Sequence, residues 1–203
     1  NHAVEKARFF PMQREVEAAF KVKDFTLVST FGPQYDPNAH DEFDTRRIYA
    51  MYQAHETTSV RVGRFMPVYG LMISDHYTNV KRGLGFDQGN ERDAAEVNFI
   101  LDAWQANLSY SQSPKSVADP SEETAISAQV NYAFLDSYKV GVSYWNGDFE
   151  NTKRSIYGVQ GMVGFTPEFY FLNEIDYQIR DTTIGDQRVI FYYQRLGYEF
   201  TRG

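Results

Sequence analysis

Charged residues and glycines are concentrated in one segment of the chain, residues 66–93. Seven of its side chains could line a narrow passage and act on ions: Asp75, His76, Lys81, Arg82, Asp87, Glu91 and Arg92. Charges of opposite sign on facing walls of a water-filled channel set up a field that sorts permeating ions. On an exposed loop, the same charges would pair at the surface and contribute little to stability.

Apolar residues in the same segment favour an inward-folded arrangement. Leu71, Met72, Ile73, Leu84 and Phe86 need a surface to pack against, since water is an unfavourable environment for them. We therefore predict that residues 66–93 fold into the interior of the protein and constrict it.

Metal chemistry has little support in the sequence. The loop around Asp36, Asn38, Asp41, Glu42 and Asp44 offers the oxygen ligands that Ca²⁺ or Mg²⁺ prefers, but in no recognised ligand spacing. A solvated acidic loop is the simpler interpretation. The chain has no Cys, which excludes thiolate ligands, and its four His residues are scattered. We predict no metal and no cofactor.

Most of the remaining chain alternates apolar and polar residues, the pattern of β-strands with one apolar and one polar face. The alternation is clearest in residues 104–111 and 126–134. Eleven segments are predicted as strands: residues 16–22, 25–31, 47–54, 59–65, 95–101, 104–111, 126–134, 138–144, 157–165, 169–178 and 189–200. No helical pattern competes with them after the first dozen residues.

The predicted connections fall into two alternating classes. The short ones are residues 23–24, 56–57, 102–103, 135–137 and 166–168. The long, polar ones are residues 32–46, 66–93, 112–123, 146–153 and 181–187. Short turns at one end of the strands and long loops at the other are typical of a transmembrane β-barrel.

Aromatic residues make up 16% of the chain, and several lie on the apolar face beside the short turns. These are Trp104, Phe134, Tyr138, Phe165, Phe169, Tyr198 and Phe200. Aromatic residues at that level form the girdle that outer-membrane barrels place at the membrane interface. We predict this role for them.

Charges are found mainly on the opposite strand face, which we predict to line the lumen. The residues are Arg47, Arg61, Glu96, Lys139, Glu174, Asp176, Arg180 and Arg195. A charge facing lipid at mid-membrane costs about 2–4 kcal/mol, so this one-sided distribution favours a membrane barrel. A soluble antiparallel barrel or sandwich alternates equally well, but has no reason to collect its long loops at one end.

The sequence thus predicts an all-β protein, an antiparallel up-and-down transmembrane β-barrel with residues 1–203 in one domain. Bacterial single-chain barrels have an even number of strands. We therefore expect the eleven strands to be a segment of a larger barrel, incomplete at both ends.

One stretch resembles a known family. Residues 62–70 read Val62-Gly63-Arg64-Phe65-Met66-Pro67-Val68-Tyr69-Gly70. They resemble the Gly-x-Phe-x-x-Pro-Phe/Tyr-Gly segment of Gram-negative porins of the phosphate-selective O/P type, and residues 82–92 resemble the long loop that follows it in porin-like proteins. The resemblance implies a bacterial outer-membrane pore with an inward-folded loop. The basic ladder of phosphate selectivity is not evident, so that preference is not implied.

The predicted function is passive diffusion of ions or small hydrophilic solutes, with outer-membrane lipid and lipopolysaccharide around the barrel. The formal net charge of −7 argues against a nucleic-acid partner, which would require a basic surface. A structural barrel that holds a protein partner in an envelope complex, such as a sheath around a cytochrome, is the first alternative. A homo-oligomer is compatible with both.

An outer-membrane hydrolase is the third interpretation. Ser74, Asp75 and His76 are adjacent, and three neighbouring residues do not normally align as nucleophile, base and orienting group. The sequence has no Gly-x-Ser-x-Gly elbow. On these grounds the sequence predicts that the chain is not an enzyme.

Overall fold

The computed structural model describes residues 15–33, 43–73, 78–86, 89–113, 123–135, 137–150 and 152–200. Eleven strands account for most of them: β1 (Val16–Val22), β2 (Phe25–Pro33), β3 (Phe43–His55), β4 (Thr58–Phe65), β5 (Arg92–Leu101), β6 (Trp104–Gln112), β7 (Thr124–Phe134), β8 (Tyr138–Phe149), β9 (Thr152–Gly164), β10 (Phe169–Thr182) and β11 (Gly185–Tyr198). One short helix, α1 (Asn79–Arg82), lies between β4 and β5. Across these ranges no helix is long and apolar enough to cross a membrane.

Each strand pairs antiparallel with the next, in one sheet of order β1 to β11. The predicted all-β, up-and-down fold is confirmed, and every predicted strand is present. This connectivity is the simplest one for alternating segments joined in sequence, since each tight turn returns the chain beside the strand it has just left.

Two predicted long loops are wrong. Residues 146–153 and 181–187 are instead the ends of two hairpins, in which Asp148 pairs with Lys153 and Asp181 with Asp186. In both stretches the outer-face side chains are polar, as at Asp148, Lys153, Asp181 and Asp186, so the apolar alternation stops before the strands do. The backbone ladder needs no apolar side chain, and it continues to turns of two residues.

The strand register divides the side chains into two faces. One, the outer face, exposes large apolar residues such as Leu108 (53% exposed), Val142 (57%) and Ile190 (68%). The other, the inner face, buries polar side chains, including Gln129 (2%) and Glu174 (0%). A water-soluble protein does not expose so extensive an apolar surface, whereas lipid covers one.

All seven residues of the predicted aromatic girdle lie on the outer face near the tight turns. Ring contacts join several of them: the centroids are 5.3 Å apart for Phe134 and Tyr138, and 5.1 Å apart for Phe165 and Phe169. Trp104 packs at 4.6 Å on Tyr132 of the neighbouring strand. Tyr198 also contacts Phe200, at 4.8 Å. Their role at the membrane interface stays a prediction.

Candidate functional site

Residues 66–91, here called the inward segment, connect β4 to β5 and pack on the inner face. The part that the structure describes, residues 66–73, 78–86 and 89–91, places Tyr69, Leu84 and Phe86 in one buried cluster with Trp145 and Ile156. The ring of Phe86 lies 4.7 Å from that of Tyr69 and 4.8 Å from that of Trp145. Leu84 and Phe86 are buried as predicted, whereas Leu71 and Ile73 are half-buried and Met72 is 63% exposed, so the prediction that Met72 packs inward is wrong.

The start of the inward segment is fixed by an ion pair on the inner face. Arg61 on β4 and Glu96 on β5 are cross-strand partners, and Nη2 of Arg61 lies 2.7 Å from Oε1 of Glu96. The second carboxylate oxygen of Glu96 accepts a 2.9 Å hydrogen bond from the Val68 N–H. The Arg61 guanidinium also stacks 4.0 Å above the ring of Phe65. The chain therefore leaves β4 in a fixed direction, toward the opposite part of the sheet.

The middle of the inward segment binds a pair of carboxylates on β10, and we call this contact the carboxyl latch (Tyr69, Lys81, Glu174 and Asp176). The Tyr69 hydroxyl donates to Oδ1 of Asp176 at 3.0 Å, and the Leu71 N–H donates to Oε2 of Glu174 at 2.9 Å. Nζ of Lys81 donates to the Tyr69 carbonyl at 3.0 Å and lies 3.9 Å from Oε1 of Glu174. The two carboxylates are fully buried.

Gly70 makes this close approach feasible. Its φ of +62° is in the left-handed region, and its N–H and C=O are both used, donating to Ser143 Oγ (3.1 Å) and accepting from Gln129 Nε2 (2.7 Å). A Cβ on Gly70 would lie 1.8 Å from Oε1 of Glu174. On β9, a Cβ on Gly158 would lie 2.8 Å from the Tyr69 hydroxyl. Two glycines thus provide the space that the latch occupies.

Burial shifts the proton affinities of the two latch residues in the inward segment. Burial raises the pKa of Tyr69 well above its ordinary value, and the charges of Asp176 and Glu174 act in the same direction. Tyr69 therefore remains a hydrogen-bond donor throughout the physiological range. Burial lowers the pKa of Lys81, although Glu174 and Asp176 oppose this effect. Lys81 is consequently easier to neutralise than a lysine on the surface.

The end of the inward segment meets a second buried group, the Glu123 cluster (Arg92, Glu123, Trp145 and Arg154). Glu123 accepts from Arg154 Nε and Nη2 at 2.9 and 2.7 Å, from Arg92 Nη1 at 3.0 Å and from Trp145 Nε1 at 3.2 Å. Nη1 of Arg154 donates at 2.8 Å to the carbonyl of Leu84. The cluster therefore joins three strand ends to the inward segment.

The residues predicted to form a constriction differ in burial. Lys81 and Arg92 are buried in the latch and the Glu123 cluster, and Glu91 is buried beside Arg46, whose Nη2 is 3.1 Å from Oε1 of Glu91. Arg82, on α1, is exposed. Asp75, His76 and Asp87 lie outside the described residues, as does Ser74. Of the four predicted constriction residues that the structure describes, Arg82 is thus the one whose side chain is exposed to solvent.

The register puts all eight predicted lumen-lining residues on the inner face. Three of them, Glu96, Glu174 and Asp176, are buried acids. Lys139 donates to Oε1 of Gln105 at 3.0 Å. The remaining cations differ in exposure: Arg61 is half-buried on Glu96, Arg47 and Arg180 are half-buried, and Arg195 is exposed.

Positive charge exceeds negative charge on this inner face, although the whole chain is acidic. Among the described inner positions of the strands, together with Glu123, there are eight cations: Lys21, Arg47, Arg61, Arg92, Lys139, Arg154, Arg180 and Arg195. The acids at such positions are five: Glu17, Glu96, Glu123, Glu174 and Asp176. The excess negative charge of the protein therefore lies elsewhere.

Sequence reasoning missed several residues of this site. Glu123 ended a predicted long loop, and Arg154 lay between the predicted loop 146–153 and the predicted strand 157–165, so neither received a face assignment. A weak signal was present, because Arg154, Ile156, Gly158 and Gln160 continue the inner period of β9 toward its start. The side chains of the acidic loop at residues 36–44 are outside the described part of the chain. Within the described ranges, no three His, Asp or Glu residues come together to hold a metal ion.

Solved structures share this fold. In-vitro folded OmpT, an outer membrane protein of Vibrio cholerae, matches with a TM-score of 0.58 and 12% identity over 93% of this chain and 74% of that chain. A loop L8 deletion mutant of the same protein matches with a TM-score of 0.57 and 14% identity, over 93% of this chain and 80% of that chain. No family model and no curated protein sequence matches.

These neighbours and the apolar outer face identify the fold as that of an outer-membrane β-barrel, and the chain belongs in the bacterial outer membrane. The resemblance to O/P-type porins is not confirmed. The prediction that the chain is not an enzyme is wrong. Its structural neighbours are OmpT barrels, and a fold shared with them gives no ground for excluding catalysis.

Proposed function

We propose that this barrel is a passive diffusion pore for ions and small hydrophilic solutes, narrowed by the inward segment. The observation that carries the proposal is the attachment of that segment at three points: the Arg61–Glu96 pair, the carboxyl latch and the Glu123 cluster. A surface loop would need none of these buried polar contacts. A segment that is fixed across the interior narrows the cross-section available to solutes. It acts as a constant constriction and does not open and close.

The charges of the inner face support a preference for small anions. Eight inner cations stand against five inner acids, and Arg82 adds an exposed positive charge on α1. In a narrow, low-dielectric passage such an excess raises the local concentration of anions. The proposed pore therefore admits small anions more readily than cations of similar size.

Conductance of the full chain in planar lipid bilayers tests this function. We expect stepwise conductance and, in a KCl gradient, a reversal potential of the sign that indicates anion preference. Insertion should be checked separately, by heat-modifiable migration in SDS. A folded, inserted barrel with no conductance would contradict the pore and favour a barrel that holds a protein partner.

Arg82→Ala is expected to lower the anion preference. Two unit charges at 4 Å in water interact by about 1 kcal/mol, so losing this exposed charge should reduce the anion-to-cation permeability ratio by about twofold to fivefold. The reversal potential measures the change. Arg188→Ala is the matched control, since Arg188 is an exposed arginine on the outer face of β11. An Arg82 variant with an unchanged reversal potential would remove α1 from the path of the ions.

A further inference from the structure

The apolar band of the outer face is interrupted on β10 and β11. On β5–β8, every outer position from the tight turns up to the polar strand ends is apolar or aromatic; those ends are Asp93, Gln112, Thr124 and Asn146. On β10 and β11 the band contains Asn173 and Gln194, which are direct cross-strand partners. Asn173 follows Phe171 and precedes Ile175 on the outer face, so the polar pair lies inside the band and not at its border.

Two amides at this level are costly in lipid. Each side-chain amide offers two N–H donors and a carbonyl acceptor, and the hydrocarbon offers no partner for them. A hydrogen bond between Asn173 and Gln194 would still leave most of these groups unsatisfied. The register places both side chains on the outer face, whatever lies beside β11. Asn173 is half-buried and Gln194 is exposed, so a neighbouring protein could reach both.

Gly161 on β9 extends the same row, as the cross-strand partner of Asn173. A Cβ there would meet nothing nearer than the Lys139 carbonyl at 3.7 Å, and the Gly161 backbone is not in the left-handed region. Packing inside the barrel therefore does not require this glycine, whereas it requires Gly158 on the inner face. Glycine weakens a strand, but a small residue on a membrane surface lets a second backbone approach closely. The notch at Gly161 thus points to a protein neighbour.

Charges of both signs lie farther along the same three strands, at the end away from the tight turns. The exposed outer-face residues there are Lys153, Asp181, Asp186 and Arg188. Two cations and two acids allow an identical surface to pair with this one instead of repelling it. The amides are likewise self-complementary, since each of them both donates and accepts. Both features favour a second copy of this chain over an unlike partner.

We propose that the outer faces of β9–β11 bind a second copy of this chain within the membrane, with Gly161, Asn173 and Gln194 at the centre of the contact. The contact is isologous, so the same row of each copy faces the other across a two-fold axis. The amides then hydrogen-bond between copies, and each Gly161 makes room for the opposite surface. This inference does not rest on the proposed pore, because a barrel of any function must satisfy the same amides.

Cross-linking tests the position of the contact, because the chain contains no Cys and each introduced thiol is unique. Ile175→Cys places a thiol next to Asn173 on the outer face and leaves both amides intact. Val130→Cys is the matched control, since Val130 lies in the apolar band of β7 and is 38% exposed, against 44% for Ile175. With a short bismaleimide in liposomes, we expect Ile175→Cys to form linked dimers and Val130→Cys to stay monomeric. Equal cross-linking of the two variants would indicate random collision and overturn the proposed contact.

Sedimentation equilibrium of the full chain in density-matched detergent measures its strength. We expect a dimer, and about tenfold to hundredfold weaker self-association in Asn173→Leu/Gln194→Leu, as for the loss of two or more hydrogen bonds in a membrane. Gly161→Val should also weaken the dimer, because it fills the notch and leaves the amides in place. Asn173→Gln retains an amide and should preserve the dimer.

Heat-modifiable migration in SDS identifies the variants that are folded, and these alone are compared. The glycine variant provides the test if the double-leucine variant does not fold. A monomeric wild-type chain, or folded leucine and valine variants that dimerise as strongly as the wild type, would overturn the proposal.

Discussion

Replacing Glu123 with alanine is expected to destabilise the barrel by about 3–5 kcal/mol, since the change leaves two buried arginines without their anion. The side chains of Arg92 and Arg154 are 7% and 8% exposed, and both bind Glu123 directly. Removing one partner of a buried ion pair costs more than the pair contributes, because the remaining charge cannot be solvated.

Urea unfolding of the purified protein in lipid vesicles measures this loss. Trp145 is a suitable probe, as it belongs to the cluster, and a Trp104→Phe background removes the other tryptophan of the chain. Glu150→Ala provides the control, since Glu150 is an exposed acid at the neighbouring hairpin and should change stability by less than about 0.5 kcal/mol. A Glu123 variant as stable as this control would mean that the cluster does not hold the strands together.

The double variant Glu123→Ala/Arg154→Ala tests the same contact more strictly. Residues within one ion-pair network are not independent, so the double variant should be destabilised by clearly less than the sum of the two single variants. If the two losses of stability simply added, the two residues would stabilise the barrel independently. That result would contradict the role assigned to the bidentate contact between them.

The strands could be predicted from the sequence because lipid and the polar interior impose a period of two. Residues such as Leu108 and Ser109 alternate in polarity because they point to opposite faces. The same rule fails at Asp148 and Asp181, where the strands extend beyond the apolar band. There the outer face is polar, and the backbone hydrogen bonds alone continue the ladder.

The site could be predicted less completely, because its contacts join residues far apart in the chain. Lys81 meets Glu174, and Leu84 meets Arg154, through the curvature of the sheet and the path of the inward segment. Local spacing contains no information about such pairs. Arg92 illustrates the consequence: its charge and position suggested a pore-lining residue, yet Glu123 buries it at the start of β5.

Gly70→Ala is expected to detach the inward segment from β10 while the barrel still assembles. The new Cβ would lie 1.8 Å from Oε1 and 2.6 Å from Cδ of Glu174, and Gly70 takes no part in the strand ladders. Either the Glu174 carboxylate or the Tyr69–Leu71 backbone must therefore move, and both movements break the carboxyl latch. We expect a larger single-channel conductance and greater quenching of Trp145 by iodide, because Tyr69 and Phe86 no longer cover that ring.

Gly85→Ala separates this steric effect from backbone strain. Gly85 also has a positive φ (+71°), but a Cβ there meets nothing within 4 Å. Both alanines incur about 1–2 kcal/mol for the left-handed conformation, and only the one at position 70 collides with the latch. If Gly70→Ala and Gly85→Ala change conductance and quenching equally, strain in the segment is the cause and the latch does not set its position. If only Gly70→Ala changes them, the buried carboxylates of β10 are what hold the constriction in place.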